Sequence, residues 1–514
     1  MKAASGAQMR EMDRITIDET GISGIVLMEN AAQAVAKVCL KYVNQFKNPK
    51  VAVVCGGGNN GGDGFAVARI LKCSGIECII IFIGNEEKLS LDALTNYRVA
   101  KNFGIEIITG LRDLEHIFES QHVIIDGIFG TGFTGEPRNV AAEVIREINK
   151  SGKYIISIDI PSGVNSDTGT VSEICVKADE TVTFALPKIG TILYPGAQYC
   201  GKLTIADICI PQENAEKAGV NVNILTQNNA CQWLPIRNAQ SNKGTFGKLY
   251  VIAASEEMTG AGMLCCKAGY KSGCGLVYAC MPKKCCDIMH VLVPEAVAKP
   301  LRDIDGKVYE NSIEGVEVDV ENAKAIVIGP GMGQSEGVSA FVEDVLLTSK
   351  GNVLIDADGL NAIAKNKDVL KEMKRMPIIT PHPGEMSRLT GIKVKDILND
   401  TIGTALNFAM EYNTIVVLKE ARTIIASPTG EVYINTTGNC AMAKGGAGDV
   451  LSGIIGGLLA QGMDAFKAAV LGVYIHGYCG DLAAQEMGHY GVLAGELADY
   501  VAFAMKKLEQ LRNK

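Results

Sequence analysis

Nothing in this 514-residue sequence reads as a membrane span, since the longest apolar stretches, such as Leu451–Ala460, are shorter and richer in glycine than the roughly 20 residues a span needs. The opening MKAASGAQMREMDR lacks an apolar run, so no secretory signal peptide is expected. The sixteen cysteines form no CxxC pair, are scattered, and twice stand next to each other (Cys265–Cys266, Cys285–Cys286). That pattern argues against a disulfide framework and for reduced, mostly buried thiols in a reducing compartment. Basic charge is also scarce: 49 Lys and Arg against 57 Asp and Glu leave a net charge of −8. General binding to nucleic acid or to an anionic membrane is therefore excluded, although backbone N–H groups can still hold an anionic ligand locally. No fixed-period repeat or low-complexity tract is present. These absences leave a soluble cytoplasmic protein as the expectation.

What is present is enough chain for more than one hydrophobic core, with an ordinary 47% of apolar and 21% of charged residues. Apolar runs bounded by Gly, Asn, Pro or Asp recur: Val51–Cys55, Cys78–Ile83, His122–Asp126 and Tyr154–Ile160. Helix-patterned stretches such as Gly64–Cys73 and Val140–Lys150 lie between them. Continuously apolar strands alternating with helices predict a parallel sheet covered on both faces. The rhythm breaks over the polar, Asn/Gln-rich Pro211–Lys243 and resumes with Lys248–Ala254, Ala325–Gly329, Asn352–Asp358 and Thr414–Lys419. Two helical stretches, Asp449–Gln461 and Ala465–Glu486, follow the last glycine-rich loop. The expectation is two unrelated α/β domains, 1–217 and 243–514, joined by a linker over 218–242.

The first chemical signal is GGGNNGGDGFAVAR (Gly56–Arg69), directly after a strand and opening a helix. Glycines there let the backbone approach a phosphate at the positive end of the helix, but such a turn alone is equally a tight loop without a ligand. Two more polar loops, DGIFGTGFTGEPR (Asp126–Arg138) and SIDIPSGVNSDTG (Ser157–Gly169), also leave strand ends. In open parallel sheets the carboxyl ends of strands are where ligands bind, so the three loops point to one crevice. Asp126 and Asp159 each end an apolar run, where a carboxylate is poorly solvated and has either a raised pKa or a cation beside it. A helix cap or loop brace is the plainer role for either. Asn60, Asp126 and Ser162 offer hard oxygens that suit an alkali or alkaline-earth ion rather than zinc.

NNGGDG, DGIFGTG and DIPSG, with Met28-Glu29-Asn30-Ala31-Ala32 upstream, resemble the NAD(P)H-hydrate epimerase family over roughly Met9 to Ile210. The resemblance implies a Rossmann-like three-layer αβα fold and interconversion of the R and S hydrates of NADH and NADPH (NADHX and NADPHX). It implies further that Asn59, Asn60, Gly61, Gly62 and Asp63 line the cofactor site. Gly130, Thr131, Gly132, Phe133, Thr134, Gly135 and Glu136 would hold its phosphates. Asp159 would be the acid/base residue, and Asn60, Asp126 and Ser162 would bind K⁺. Gly57 stands where proline is common in the family, and Phe133 fills a variable position.

The strongest single signal is AMAKGGAGDVLSGIIGGLLAQG (Ala441–Gly462). Gly445, Gly446 and Gly448 precede a helix whose first turn carries Asp449. Bare N–H groups at a helix start make an anion hole, and a carboxylate beside it can take the proton of a hydroxyl being phosphorylated. An aspartate that merely complements the helix dipole is the plainer alternative. GPGMG (Gly329–Gly333), TPHPGEMSRL (Thr380–Leu389), LKEARTIIA (Leu418–Ala426) and MTGAGM (Met258–Met263) add loops at other strand ends. GPGMG, DADGLN, PHPGE and GGAGD in this order resemble the NAD(P)H-hydrate dehydratases of the ribokinase-like superfamily, from Lys243 to the C-terminal helices.

That resemblance implies that Ala261, Gly333, His382 and Asp449 contact the hydrated cofactor, with Asp449 catalytic. Lys419, Glu420, Ala421, Arg422, Thr423 and Gly448 would hold the adenine nucleotide, ADP or alternatively ATP, with Mg²⁺. Glu420 stands where glycine is usual, Ala447 where threonine or serine is common, and Cys440-Ala441 where Pro-Gly is. Two rivals stay open at this stage: a small-molecule kinase for a sugar or hydroxymethyl-pyrimidine in the second half, and a non-catalytic nucleotide-binding module in the first. Apolar helices such as Ala465–Tyr478 leave room for a subunit interface, so a homo-oligomer is expected.

Overall fold

The computed structural model describes residues 1–110 and 113–513, so the last residue of the expected second domain, Lys514, lies outside the described residues. The chain divides into two compact units, Lys2–Val222 and Asn223–Lys514 with Met1. No described helix is long and apolar enough to cross a membrane.

The first unit is built on seven strands: β1 (Lys50–Cys55), β2 (Glu77–Phe82), β3 (Glu106–Thr109), β4 (Val123–Gly127), β5 (Tyr154–Ile158), β6 (Glu180–Phe184) and β7 (Lys202–Ala206). They pair in the order β3-β2-β1-β4-β5-β6-β7, all parallel, with Val53 opposite both Ile80 and Ile125. Side chains alternate along each strand, and on the inner strands β1, β4, β5 and β6 both faces are buried. Val51, Val53 and Cys55 face one layer with Ile125 and Ile156, while Ala52 and Val54 face the other with Ile124. The helices α2 (Gly24–Val43) and α3 (Asn59–Cys73) cover the first face, and α4 (Asn139–Lys150) covers the second through Val144, Ile145 and Ile148. Strand order reverses between β1 and β4, which opens a crevice at their carboxyl ends.

The second unit repeats the logic with β8 (Lys248–Ile252), β9 (Leu276–Pro282), β10 (Val297–Leu301), β11 (Ala325–Ile328), β12 (Asn352–Ile355), β13 (Ile378–Ile379), β14 (Ile415–Leu418), β15 (Ile424–Ala426) and β16 (Val432–Ile434). They run in the order β16-β15-β14-β13-β12-β11-β8-β9-β10. Pairing is parallel except at β14-β15-β16, which form an antiparallel ribbon. Helices α5 (Thr259–Lys271), α6 (Pro383–Thr390), α7 (Ala447–Ala460), α8 (Ala465–Met487) and α9 (Ala494–Arg512) flank the sheet. Gly453 lets α7 approach α5 closely, because a Cβ there would sit 2.3 Å from the Cys265 carbonyl oxygen.

The α/β class read from the sequence is the one observed, with several local differences. Helix α3 starts at Asn59 rather than Gly64, so Gly61 and Gly62 sit in its first turn instead of in a loop. The ribbon of β15 and β16 falls in a stretch read only as a loop, because three-residue strands carry too little pattern to be seen. Residues 218–242 include a helix, Gln227–Trp233, and Leu225, Ala230, Cys231 and Leu234 are buried in the core of the second unit. Helix α8, expected to offer a subunit interface over Ala465–Tyr478, instead spends Ala468 through Ile475 inside its own unit's core. All sixteen cysteines are free, and only Cys73, Cys209 and Cys440 are exposed.

Gly329, which ends β11, has φ +121°, and a Cβ added there would lie 1.9 Å from the Asp356 carbonyl oxygen. Gly329→Ala should therefore destabilise the second unit by about 2 kcal/mol or more and lower its Tm by roughly 4–8 °C in a thermal melt. A shift under about 1 °C would show that this backbone approach is not a constraint.

Candidate active sites

At the carboxyl end of the first sheet lies a cavity of about 700 Å³ lined by residues of α1 (Gly6–Ile15), α2, α3 and the β4 and β5 loops. Asn59, Asn60 and Asp63 from α3 reach it, as do Gly130, Thr131, Gly132, Phe133 and Asp159. Thr134, Gly135 and Glu136 line an adjoining hollow of about 200 Å³ with Asn165, Thr170 and Ser172. Glu136 also braces that hollow by accepting a hydrogen bond from the Glu173 N–H at 2.9 Å. Phe129 and Phe133 stack with centroids 4.2 Å apart and present a flat apolar wall. Gly61 and Gly62 do not line the cavity. A Cβ on Gly61 would lie 2.0 Å from the Gly56 carbonyl oxygen, and one on Gly62 would meet Met28 and Ala93, so both serve close packing.

Asp159 follows β5 in the left-handed region, at φ 65°, a conformation that costs energy and is common at functional sites. Its Oδ1 accepts from the Lys188 ammonium, from the Thr183 hydroxyl at 3.2 Å and from the Phe184 N–H at 3.1 Å. Lys188 is 1% exposed and also donates to the Phe184 carbonyl at 3.0 Å. Two further carboxyls share this region with only that buried cation. Asp13 has its pKa pushed up to about 6 by burial, with Lys188 pulling down and Asp159 pushing up. Asp63 is held well above the usual carboxylate range by burial and by the charges of Asp159 and Asp13, against the pull of Lys188.

Asp126 is fully buried at the end of β4. Its oxygens accept from the Ser162 hydroxyl (2.6 Å) and N–H (2.9 Å), the Ser157 hydroxyl (2.9 Å) and the Ile128 N–H (3.2 Å). Burial raises its pKa while these hydrogen bonds oppose the rise, and none of the donors carries a charge. Asn60 donates to the Phe129 carbonyl at 3.0 Å, and the Ser162 hydroxyl lies 3.5 Å from the same oxygen. Asn60 and Ser162 thus meet at the Phe129 carbonyl, and Ser162 links that point to the Asp126 carboxyl. A monovalent cation fits that donor set in charge and in hardness.

The second unit gathers its loops in the same way. Asp356 closes β12, is 1% exposed, and accepts from Lys419 Nζ at 2.8 Å and from the Ser452 hydroxyl at 2.7 Å. Lys419, at the end of β14, also lies 3.9 Å from Glu385. Burial pulls its pKa down, but Asp356 and Glu385 outweigh this and hold it above the ordinary value. Gly446 has φ 92° at the start of α7, and a Cβ on Gly448 would lie 3.5 Å from Lys419 Nζ. Gly448 in the first turn of α7 therefore stands beside a half-buried ammonium. Asp449, one residue on, has its pKa raised to about 7 by burial and by Asp356 and Asp358, against the pull of Lys419.

The remaining predicted residues ring this centre. The Gly333 N–H donates to Asp358 at 2.9 Å. Ala261 on α5 lies against the same GPGMG turn, where a Cβ on Gly331 would meet its methyl at 2.8 Å. His382 caps α6: its Nδ1 accepts from the Gly384 N–H at 2.9 Å, and its Nε2 lies 3.6 Å from Glu385. Glu420 and Ala421 are exposed at the β14–β15 turn, Thr423 donates to the Glu420 carbonyl at 3.2 Å, and Arg422 turns to the Thr436 carbonyl at 2.7 Å. Of the residues 419–423, only Lys419 reaches the buried charge cluster.

Sequence reasoning missed Asp13, Lys188, Asp356 and Ser452. Asp356 carries the same signal as Asp126 and Asp159, a carboxylate ending an apolar run, and stands inside the DADGLN motif. Lys188 is signalled only by a lysine within the apolar FALPKIG, and Asp13 by nothing but a polar position on an amphipathic helix.

Comparison with known proteins bears on both units. Residues 249–502 match the family described as NAD(P)H-hydrate dehydratase, and residues 24–190 match the family described as YjeF-related protein N-terminus. The bifunctional NAD(P)H-hydrate repair enzyme Nnr of Moorella thermoacetica is 38% identical, over 99% of this chain and 98% of that protein. The enzyme of the same name from Escherichia coli is 32% identical over 95% of this chain and 91% of its own length. Among solved structures, a ribokinase-like superfamily protein of Enterococcus faecalis is 27% identical with a TM-score of 0.50, covering 56% of this chain and 97% of that one. With relatives of this identity aligned from end to end, the chain belongs to the family of bifunctional NAD(P)H-hydrate repair enzymes.

Proposed function

We propose that the protein repairs NADH and NADPH that have added water across a double bond of the dihydronicotinamide ring. The first unit interconverts the R and S hydrates, and the second dehydrates the S hydrate with consumption of a nucleotide. The observation that carries this reading is Asp449 beside the glycine amides at the start of α7 and the Lys419–Asp356 pair.

The lesion leaves a hydroxyl on C6 of the ring, and hydroxide is a poor leaving group. Phosphorylation of that hydroxyl turns it into a good one. Asp449 accepts the hydroxyl proton as the oxygen attacks the terminal phosphoryl group, and a pKa near 7 suits a general base at neutral pH. The N–H groups of Gly445–Gly448 and the Lys419 ammonium face the charge that develops on the transferring group. The lone pair of the ring nitrogen then expels phosphate, and loss of a proton from the neighbouring carbon restores the double bond. Ala261, Gly333 and His382 contact the hydrated ring and its carrier. Lys419, Glu420, Ala421, Arg422, Thr423 and Gly448 hold the adenine nucleotide, ADP or ATP.

The described residues hold no group of three or more His, Cys, Asp or Glu side chains fit for a metal ion. Mg²⁺ bound with the nucleotide would supply positive charge to its phosphates. In the first unit, Asn59, Asn60 and Asp63 hold the cofactor, Gly130–Glu136 its phosphates, and Asp159 exchanges a proton with it. Asn60, Asp126 and Ser162 would hold K⁺, which would supply positive charge beside the buried Asp126 carboxyl. A chiral dehydratase site takes one epimer, whereas spontaneous hydration yields both, which is the reason to join the two activities in one chain.

With a mixture of R and S hydrates, nucleotide and Mg²⁺, the wild-type chain should return all of the material as reduced cofactor, read by its absorbance. Asp159→Asn should stop at the S fraction, and Asp449→Asn should return about 10²–10⁴-fold less per unit time while still equilibrating the epimers. Loss of both activities in either variant would contradict the division of roles. Because Asp449 must be ionised to act as base, the dehydration rate should fall as pH drops below about 7, roughly tenfold per unit. A flat profile from pH 5 to 8 would exclude Asp449 as the base. Exchanging K⁺ for tetramethylammonium should slow epimerisation and lower the Tm, since a ligand bound only to the folded state stabilises it. Unchanged values of both would count against the cation site.

A further inference from the structure

Epimerisation at C6 is a problem of two protons. C6 of the hydrated ring carries the hydroxyl and is bonded to the ring nitrogen, so it is a carbinolamine carbon. Such a centre inverts when the C6–N1 bond opens to an aldehyde and closes again on the other face of the carbonyl. Opening requires a base for the hydroxyl proton and an acid for the departing nitrogen. One aspartate alone does not meet both demands in a single step.

We infer that Asp13 is the second acid–base group of the epimerase site, paired with Asp159, and that the pair opens and recloses the hydrated ring. This rests on the reading of the first unit as the epimerase. Both side chains line the same cavity, Asp159 from the end of β5 and Asp13 from α1. They differ in company. Asp159 is ion-paired with Lys188 and takes two more hydrogen bonds on the same oxygen, which leaves its other oxygen for the hydrate. Asp13 makes no hydrogen bond through its carboxyl among the described contacts and is not the partner of Lys188, whose ammonium is already shared among Asp159, Thr183 and Phe184. The charged groups around Asp13 are Lys188, Asp159, Asp63 and, on the same cavity wall, Arg10 and Asp92. Burial and Asp159 favour its protonated form and Lys188 opposes them, which brings its pKa to about 6. Two carboxyls driven apart by their surroundings are the arrangement that assigns base and acid.

The step balances as follows. Asp159 takes the hydroxyl proton, the oxygen forms the carbonyl, and the C6–N1 bond breaks with its electron pair going to N1. N1 takes the proton of Asp13. The open form is an aldehyde and an enamine N–H. Rotation about the bond from C5 to the aldehyde carbon exposes the other face. N1 then attacks, its proton returns to Asp13, and the new oxyanion takes back the proton from Asp159. Neither oxidant nor water is consumed.

Interconversion of the purified R and S hydrates, followed by chromatography on the full chain without nucleotide, tests this. Asp13→Asn should lower kcat for epimerisation by about 10²–10⁴-fold with little change in KM, and Asp13→Glu should recover part of the loss. In the wild type, kcat should decline as pH rises above about 6, as the acid form of Asp13 is titrated away, and the residual rate of Asp13→Asn should lack that decline. In ¹⁸O-water the wild-type product should keep its original oxygen through early turnovers, a readout that needs no variant. An Asp13→Asn rate within about threefold of wild type, retention of the alkaline decline in that variant, or uptake of one solvent oxygen per epimerisation would each overturn the proposal. A wild-type chain that does not interconvert the hydrates at all would instead overturn the assignment of the first unit.

Discussion

The structure turns on a shortage of buried positive charge. Each unit places a lysine at the carboxyl end of its sheet, Lys188 buried and Lys419 half-buried, and surrounds it with several carboxyl groups. Lys188 pairs with Asp159 while Asp13 and Asp63 stand beside them. Lys419 pairs with Asp356 while Glu385, Asp358 and Asp449 stand around them. Where burial and neighbouring carboxylates outweigh the pull of the lysine, the carboxyl rises in pKa, as Asp13, Asp63 and Asp449 do. Both units thus set a lysine–aspartate ion pair beside a carboxyl of raised pKa. Folds that differ in strand order thus reach the same electrostatic arrangement.

The backbone supports that arrangement with few strained positions. Asp159 and Ala357 are non-glycine residues at positive φ, the first directly after β5 and the second two residues after β12. Gly329 and Gly446 take the same region where a Cβ would collide, with the Asp356 carbonyl oxygen and with Leu264 respectively. The strain is held in place by sheets whose strands are buried on both faces, so that their ends shift little.

Much of this was legible in the sequence. Apolar runs ended by aspartate marked β4 and β5, and the alternation of such runs with helices gave the parallel α/β class. The glycine-rich turn before Asp449 marked the start of α7, because amides without side chains at a helix start are an anion site by construction. What escaped is what depends on distant chain. The partners Asp13, Lys188 and Asp159 are brought together only by the fold, and a lysine in an apolar stretch does not announce which carboxylate it meets. Gly61 and Gly62 read as ligand-facing because glycine near a phosphate loop is ambiguous; in the folded chain they make room for the Gly56 carbonyl and for Met28. Helix α8 read as an interface because an apolar helix looks the same whether it is covered by its own unit or by another.

Burial and the neighbouring Asp356 raise the Asp449 pKa into the neutral range, to about 7. Titration of the chain carrying ¹³C-carboxyl aspartate, followed by NMR, measures this directly. The account predicts an aspartate signal with a midpoint near pH 7 that is missing from Asp449→Asn. A spectrum in which every aspartate has finished titrating by about pH 5, as unperturbed carboxyls do, would contradict it.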